Sequence, residues 1–443
     1  MGEISIAAEA LWTGQKDTYT LHPFSPPHGL ESLGPGTFFY KGFSNAIVRE
    51  TGEGLIIVDP AALFDAQAKF DAIRGATRQP LHTAIFTHGH LDHVFGVRNY
   101  AQEAETNGWP RPRIVAHEAL PDRLRRYAAT QAWNSHINNR QFRGGAGSAV
   151  FPADFDFPDI TFKSRMTLTV GGVTAELHHA RGETDDHLWV FFPDNRLLCT
   201  GDLFIWAVPN AGNPQKVQRY AREWAAALRE MAALRPEILA PGHGFPILGA
   251  DRVRQALSDT AELLETVHEQ TLALMNQGAS LNEILHAVQA PRELLAKPYL
   301  QPVYDEPEFI VRNIWRFYGG WYDGTPSHLK PAPERAQAEE VARLAGGADR
   351  LAARARQLAE AGRFRLACHL VDWACQAAPE KESIQRAAQG IYLARAQAES
   401  STMAMGIFLS AARQFGPKSL SDEPLVPVFV KQMQRGRPSA SAD

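Results

Sequence analysis

Apolar residues fall in short runs that end abruptly at glycine, proline or a charged residue, and the character of these runs changes once along the chain. Up to about residue 250 they read as strands. Phe38-Phe39-Tyr40 and Asn45-Ala46-Ile47-Val48 lead through the turn Glu50-Thr51-Gly52-Glu53-Gly54 to Leu55-Ile56-Ile57-Val58-Asp59-Pro60, which predicts an antiparallel hairpin. Leu81-His82-Thr83-Ala84-Ile85-Phe86 predicts a buried strand. Residues 94 to 130 alternate helical stretches with the short strand Arg113-Ile114-Val115-Ala116-His117, in which His117 reads as structural. Trp133 to Gly147, polar, aromatic and glycine-rich, predicts a loop over a site. From Asp251 to about Gln414 a 3.6-residue period rich in Ala, Leu, Arg and Glu takes over. The pattern predicts an α/β domain over 1–250, an all-α domain over 251–415, and a polar, disordered tail over 416–443.

The densest chemistry follows the strand at 81–86. Thr87-His88-Gly89-His90-Leu91-Asp92-His93 packs four metal-ligating side chains into six residues. Two cations about 3.5–4 Å apart need two ligand sets, and His88 with His90 suits one while Asp92 with His93 suits the other. Crowded imidazoles and a carboxylate at a buried strand end must be paired or metallated. Three further stations end apolar runs: Gly182-Glu183-Thr184 after Val173 to His179, Gly201-Asp202 after Arg196 to Thr200, and Gly242-His243-Gly244 after Ile238-Leu239-Ala240. Asp59 closes its own strand and reads as support for the histidine loop.

Composition narrows the classes. The chain has 443 residues and is 44% hydrophobic, enough for two or three full cores. A formal charge of -4 gives no footprint for nucleic acid. The first residues lack a basic stretch followed by an apolar core, and no run approaches the ~20 apolar residues of a membrane span. Cys199, Cys368 and Cys375 are odd in number and widely spaced, which fits core thiols in a reducing, cytoplasmic location.

The four stations, in this order over residues 35 to 250, resemble the metallo-β-lactamase superfamily of dinuclear hydrolases. The resemblance implies an αββα sandwich in which His88, His90 and Glu183 hold one divalent ion. Asp92, His93 and His243 hold the second, and Asp202 bridges them. Glutamate at 183, where most of the superfamily has histidine, resembles the narrower alkylsulfatase group. So does Gly320-Trp321-Tyr322-Asp323-Gly324-Thr325-Pro326, close to that group's Gly-Trp-Tyr-Asp-Gly-Asn-Pro. The surrounding helices resemble its dimerisation domain and imply a homodimer. Ala352 to Ala378, broken at Ala361-Gly362-Arg363, also has the look of a tetratricopeptide-type helix pair.

The resemblance implies hydrolysis of a small anionic substrate, an alkyl sulfate ester, by water activated between two ions, zinc first and manganese or iron as alternatives. Asp92 would orient that water. The group's leaving-group acid is a histidine after the bridging carboxylate, but Phe204 to Asn213 contains none, so His187 and Tyr322 become the candidates, His187 with a slightly stronger alternative as support for the metal ligands. Asn138, Arg143, Asn210, Arg312 and Tyr322 are the candidate substrate contacts, with Arg140 beside Arg143. Arg312 has an equal alternative as a helix-start partner of Asp305 or Glu308. Many members continue into a sterol-carrier-like domain with no counterpart here, which weakens the expectation of long-chain substrates. Thioester, lactone or phosphodiester hydrolysis, and a scaffold with a vestigial metal site, stay open.

Overall fold

The computed structural model describes residues 2–142, 145 and 149–415. The strand-like runs assemble into two mixed sheets. The first holds, side by side in chain order, β1 (Gly29–Gly34), β2 (Thr37–Lys41), β3 (Ala46–Thr51), β4 (Gly54–Val58), β5 (Leu81–Ile85), β6 (Arg113–His117) and β7 (Ile160–Phe162). Pairing is antiparallel from β1 to β4 and parallel from β4 to β7. The second holds β8 (Arg165–Val170), β9 (Val173–His179), β10 (Leu188–Phe192), β11 (Leu197–Gly201), β12 (Ile238–Pro241) and β13 (Ile247–Leu248). Only β11 and β12 run parallel there. The expected hairpin is the β3–β4 pair, with Val48 opposite Ile57 and Glu50 opposite Leu55.

β4 is buried at every residue, as its unbroken apolar run requires of a strand covered on both faces. Ile56, Val58 and Ile85 of one sheet and Leu177, Val190, Cys199 and Leu239 of the other enter a single apolar core. Helices Ala221–Ala233 and Ala250–Asn276 add Trp224, Leu228, Val253, Leu257 and Leu264 to it. The helices Ala66–Ala76 and Val97–Asn107 lie against the first sheet. This is the expected αββα sandwich, and a helical region follows it.

Packing parts the chain differently from composition. One compact unit runs to Thr130 and resumes from Pro152 to Gly320; the other comprises Gln131–Phe151 and the described residues from Trp321 onward. The helical character does begin near 250, but Ala250–Asn276 and Pro307–Gly319 bury their apolar faces in the sandwich core, so the change in packing comes at 320.

In the second unit, Ala348–Glu360 and Phe364–Ala377 form the expected helix pair around Gly362. Leu351, Leu358, Val371, Cys375, Ile384 and Ile391 share its core. The loop expected over Trp133 to Gly147 is instead largely a helix, Gln131–Phe142. Two of its polar side chains bond its own carbonyls, Ser135 Oγ donating to Gln131 O and Asn138 Nδ2 to Asn134 O, while Gln131 and Asn139 donate to Phe151 O and Ala149 O beyond it. Asn134, Ile137 and Gln141 form its buried face. Arg143 lies outside the described residues, as does the expected tail over 416–443.

Candidate metal centre

Neighbouring parallel strands end at the same sheet edge, and that brings the motif residues together. β4 ends at Asp59 beside the loop that follows β5. Asp59 sits at φ +53, a conformation aspartate tolerates better than most residues. Its Oδ1 accepts from Thr87 N at 2.8 Å and its Oδ2 from Thr87 Oγ1 at 2.7 Å, with His93 Nδ1 2.9 Å from Oδ2. Those contacts fix the start of the histidine loop and aim His93 Nε2 inward. Gly89 N donates to Asp186 Oδ2 at 2.8 Å, and a Cβ there would come within 2.6 Å of Arg123 Cδ, so a side chain at 89 would have to displace the buried Arg123.

In the second sheet, parallel β11 and β12 deliver Asp202 and His243 to one edge, tied by Gly242 N donating to Gly201 O at 2.8 Å. Gly242 leaves no space for a Cβ against the Asp202 carboxylate. His243 Nδ1 lies 2.5 Å from Phe43 O, which turns Nε2 to the centre.

The fold gathers all seven metal positions read from the sequence. His88, His90, Glu183 and Asp202 offer ligand atoms within 4.8 Å of one another, and Asp92, His93 and His243 form a second such group. His88 Nε2 and His90 Nδ1 each lie 3.5 Å from Glu183 Oε2. His243 Nε2 lies 3.2 Å from both Asp92 Oδ2 and Asp202 Oδ2. Asp202 faces both groups, with Oδ2 3.8 Å from His88 Nε2 and Oδ1 3.3 Å from His93 Nε2. Donors about 3.4 Å apart are what a tetrahedral ion with ~2.1 Å bonds requires.

The buried atoms His93 Nε2, Glu183 Oε2 and Asp202 Oδ1 have no hydrogen-bond partner, and burying such atoms unpaired is costly. The donor set therefore fits a pair of divalent cations. Burial alone would raise the Asp92 and Asp202 carboxyls, but His93 and His243 hold both well below the usual range. Burial and the charges of His93 and His90 push His88 down, toward the neutral form a ligand needs.

Four residues whose roles the sequence did not reveal complete the surroundings. Arg219 Nη1 lies 2.5 Å from Glu183 Oε1, and Asn210 Nδ2 donates to the same oxygen. Glu183 thus turns Oε1 to a cation and an amide and Oε2 to the histidines. Arg219 offsets the negative charge that a glutamate brings to this position. Lys216, half-buried, is pushed down to about 7 by desolvation and by Arg219, against the pull of Glu183 and Asp92. The segment carrying Asn210 and Arg219 is held by Asp305, whose Oδ2 accepts from Gly212 N at 2.6 Å and Asn213 N at 3.2 Å. Asn313 Nδ2 donates to Ala211 O and Arg219 O, both at 2.9 Å.

The expected roles of several residues change. His187 is not placed as an acid: it is fully buried, its Nε2 accepts from Asp202 N at 3.2 Å, and burial pushes it down to about 4. It stacks on His88, ring centroids 4.6 Å apart, as a neutral support. Asn210 serves Glu183. Arg312 lies exposed on the helix Pro307–Gly319 with Nη2 3.7 Å from Glu308 Oε1, the helix-partner alternative. Asn138 and Tyr322 belong to the second compact unit.

Two family models match the chain, the metallo-beta-lactamase superfamily over residues 40–243 and alkyl sulfatase dimerisation over 280–416. A linear primary-alkylsulfatase of Pseudomonas sp. is 28% identical over 321 residues, 68% of this chain and 61% of that protein. The alkyl/aryl-sulfatase of Saccharomyces cerevisiae is 25% identical over 427 residues, 89% of this chain and 65% of that one. The solved stereoselective inverting sec-alkylsulfatase of Pseudomonas sp. superposes with a TM-score of 0.78 at 22% identity, covering 92% of this chain and 70% of that one; it shares the fold. The chain spans about 56–65% of the length of the curated alkylsulfatases it matches. The chain thus carries a stretch that matches the metallo-β-lactamase superfamily and gathers two ligand groups, followed in sequence by one that matches alkyl sulfatase dimerisation, a pair of domains like that of the alkylsulfatases it resembles.

Proposed function

We propose that the chain hydrolyses alkyl sulfate esters at a two-metal centre. His88, His90 and Glu183 would hold one divalent ion and Asp92, His93 and His243 a second, with Asp202 facing both groups; zinc is the first choice for the His and carboxylate set. The observation that carries this reading is the Asp202 carboxylate, facing both ligand groups with Oδ1 otherwise unpartnered. A bound pair of divalent cations would lower the pKa of water towards ~7 and polarise the ester. Asp92 orients the attacking water. Arg219 stays committed to Glu183.

The alkylsulfatase-type region over 280–416 supports a homodimer. Residues 1–250 and 251–415 remain the functional modules, although packing divides at 320. The free thiols Cys199, Cys368 and Cys375 support a reducing, cytoplasmic setting, and no described helix is long and apolar enough to cross a membrane.

Inorganic sulfate release from primary and secondary alkyl sulfates, with metal-replete protein beside Asp92→Ala, tests the reading. Release that depends on Asp92 is the expected result. Metal-loaded protein that releases none from any ester overturns it.

A further inference from the structure

Lys69 lies on the helix Ala66–Ala76, yet it is among the most completely buried large side chains of the protein, 1% exposed. Its Nζ stands 3.3 Å from Asp65 Oδ2, donates to Ser44 Oγ at 3.1 Å and lies 5.9 Å from the centre of the Tyr40 ring. Burial pushes the ammonium down, against the pull of Asp65, Asp92 and Asp59. An uncharged side chain of similar length would fill this space without the desolvation penalty. Packing therefore does not require a cation here, and its purpose lies in what it touches.

Lysine donates and never accepts, so Ser44 Oγ must accept from Lys69 and keeps its single proton for another partner. That proton goes to Asp92 O, 2.5 Å away. Ser44 sits in the short segment 42–45 between β2 and β3. On one side of it Phe43 O faces His243 Nδ1 at 2.5 Å. On the other, Asn45 N donates to Gly242 O at 2.7 Å, and Asn45 Nδ2 to Pro241 O at 2.9 Å and Gly244 O at 3.1 Å. A Cβ on Gly42 would come within 3.1 Å of Lys69 Cε and 3.3 Å of Asp65 Oδ2, so the segment lies directly on the buried pair. Three consecutive residues thus hold two members of one ligand group, Asp92 and His243. Among the described residues their hydrogen bonds reach none of His88, His90 and Glu183, which rest instead on Arg219 and on the contact of Gly89 with Asp186.

We propose that Lys69 is a positioning residue for the second ligand group: by fixing the direction of the Ser44 hydroxyl it holds Asp92 and His243 in place and leaves the first group untouched. The role rests on the two-metal reading. Losing the support of a metal ligand weakens binding by about 10–100-fold, and here the loss falls on one ion of the two.

Zinc titration of the full chain, with elemental analysis after dialysis, tests this beside thermal unfolding of the metal-free protein. Lys69→Met combined with Asp65→Asn removes both charges, and the amide oxygen can still accept from Ala62 N as Asp65 Oδ1 does at 2.9 Å. We expect this variant to hold one zinc as the wild type does and the other about 10–100-fold more weakly. Its unfolding midpoint should be unchanged or higher, because exchanging a buried ion pair for uncharged groups is often neutral or stabilising. Ser44→Ala should weaken the same single ion, and Asp65→Asn alone, which leaves Lys69 to donate, should weaken neither. Adding Arg219→Met, which acts on the first group, should loosen the remaining ion as well. Two ions held as in the wild type, or both weakened alike, overturn the role. A midpoint that falls while zinc binding stays intact also overturns it and makes Lys69 structural only. A wild type that holds no pair of zinc ions overturns the two-metal reading itself.

Discussion

Arg219 places Nη1 2.5 Å from Glu183 Oε1, with both side chains almost completely buried. Breaking a buried pair by removing one partner costs about 3–5 kcal/mol, because it leaves a charge uncompensated. Here the stranded carboxylate is a proposed ligand. Arg219→Met should weaken metal binding at the first group by about 10–100-fold while sparing the second, the scale expected when a ligand's support is lost. Metal titration followed by elemental analysis checks this. Two tightly held ions in the variant would remove Arg219 from the design of the centre.

Asp305 gives a prediction about pH. Burial pushes its carboxyl from 3.8 up to about 7, although Gly212 N, Glu306 N and Asn213 N all donate to it. Between about pH 4 and 7 the folded chain keeps this proton while the unfolded chain releases it, so the contribution is stabilising at low pH and is lost as pH rises. Its full size is roughly 4 kcal/mol. Asp305→Asn should flatten that part of the stability profile between pH 4 and 7, measured by thermal unfolding. It should also lower kcat/KM, because an amide cannot accept all three N–H groups and the segment bearing Asn210 and Arg219 loosens. An unchanged pH slope would show that the carboxyl titrates like an ordinary one.

The seven metal positions were legible because each closes a short apolar run, so the alternation of strand and polar turn marks them without any knowledge of distant contacts. Arg219, Lys216 and Asp305 carried no such mark: they are single charges in polar segments, and their importance comes from neighbours far along the chain. The helix Gln131–Phe142 was hidden because its inward positions include Asn134 and Gln141, which blurs the apolar period. His187 stood open between acid and support because a sequence does not say which ring nitrogen is already taken.

His187 can be separated from a proton donor by leaving group. Its Nε2 accepts from Asp202 N, so it holds the bridging carboxylate in place and should matter equally for every ester. His187→Phe should cut kcat/KM for nitrophenyl sulfate and for alkyl sulfates by the same factor, about tenfold or more as for other supports of a metal ligand. A loss confined to the alkyl esters, whose leaving alcohols need a proton, would return it to the role of acid.

Gly406 sets how closely two helices of the second unit approach. It lies in Thr402–Phe415, which packs against Gln131–Phe142, and a Cβ at 406 would overlap the Gln141 carbonyl. A backbone atom cannot rotate away, so even alanine must push the helices apart. Overpacking of this kind typically costs about 1–3 kcal/mol, and with a backbone obstacle the upper end applies. Gly406→Ala should lower the unfolding midpoint by several degrees, and Gly406→Val by more. Because Gln131–Phe142 interrupts the sandwich in sequence but packs with the second unit, proteolysis of the variant should begin near residues 131–151 while the sandwich core stays protected. Unaltered cleavage there, with a native midpoint, would mean the two helices do not pack as described.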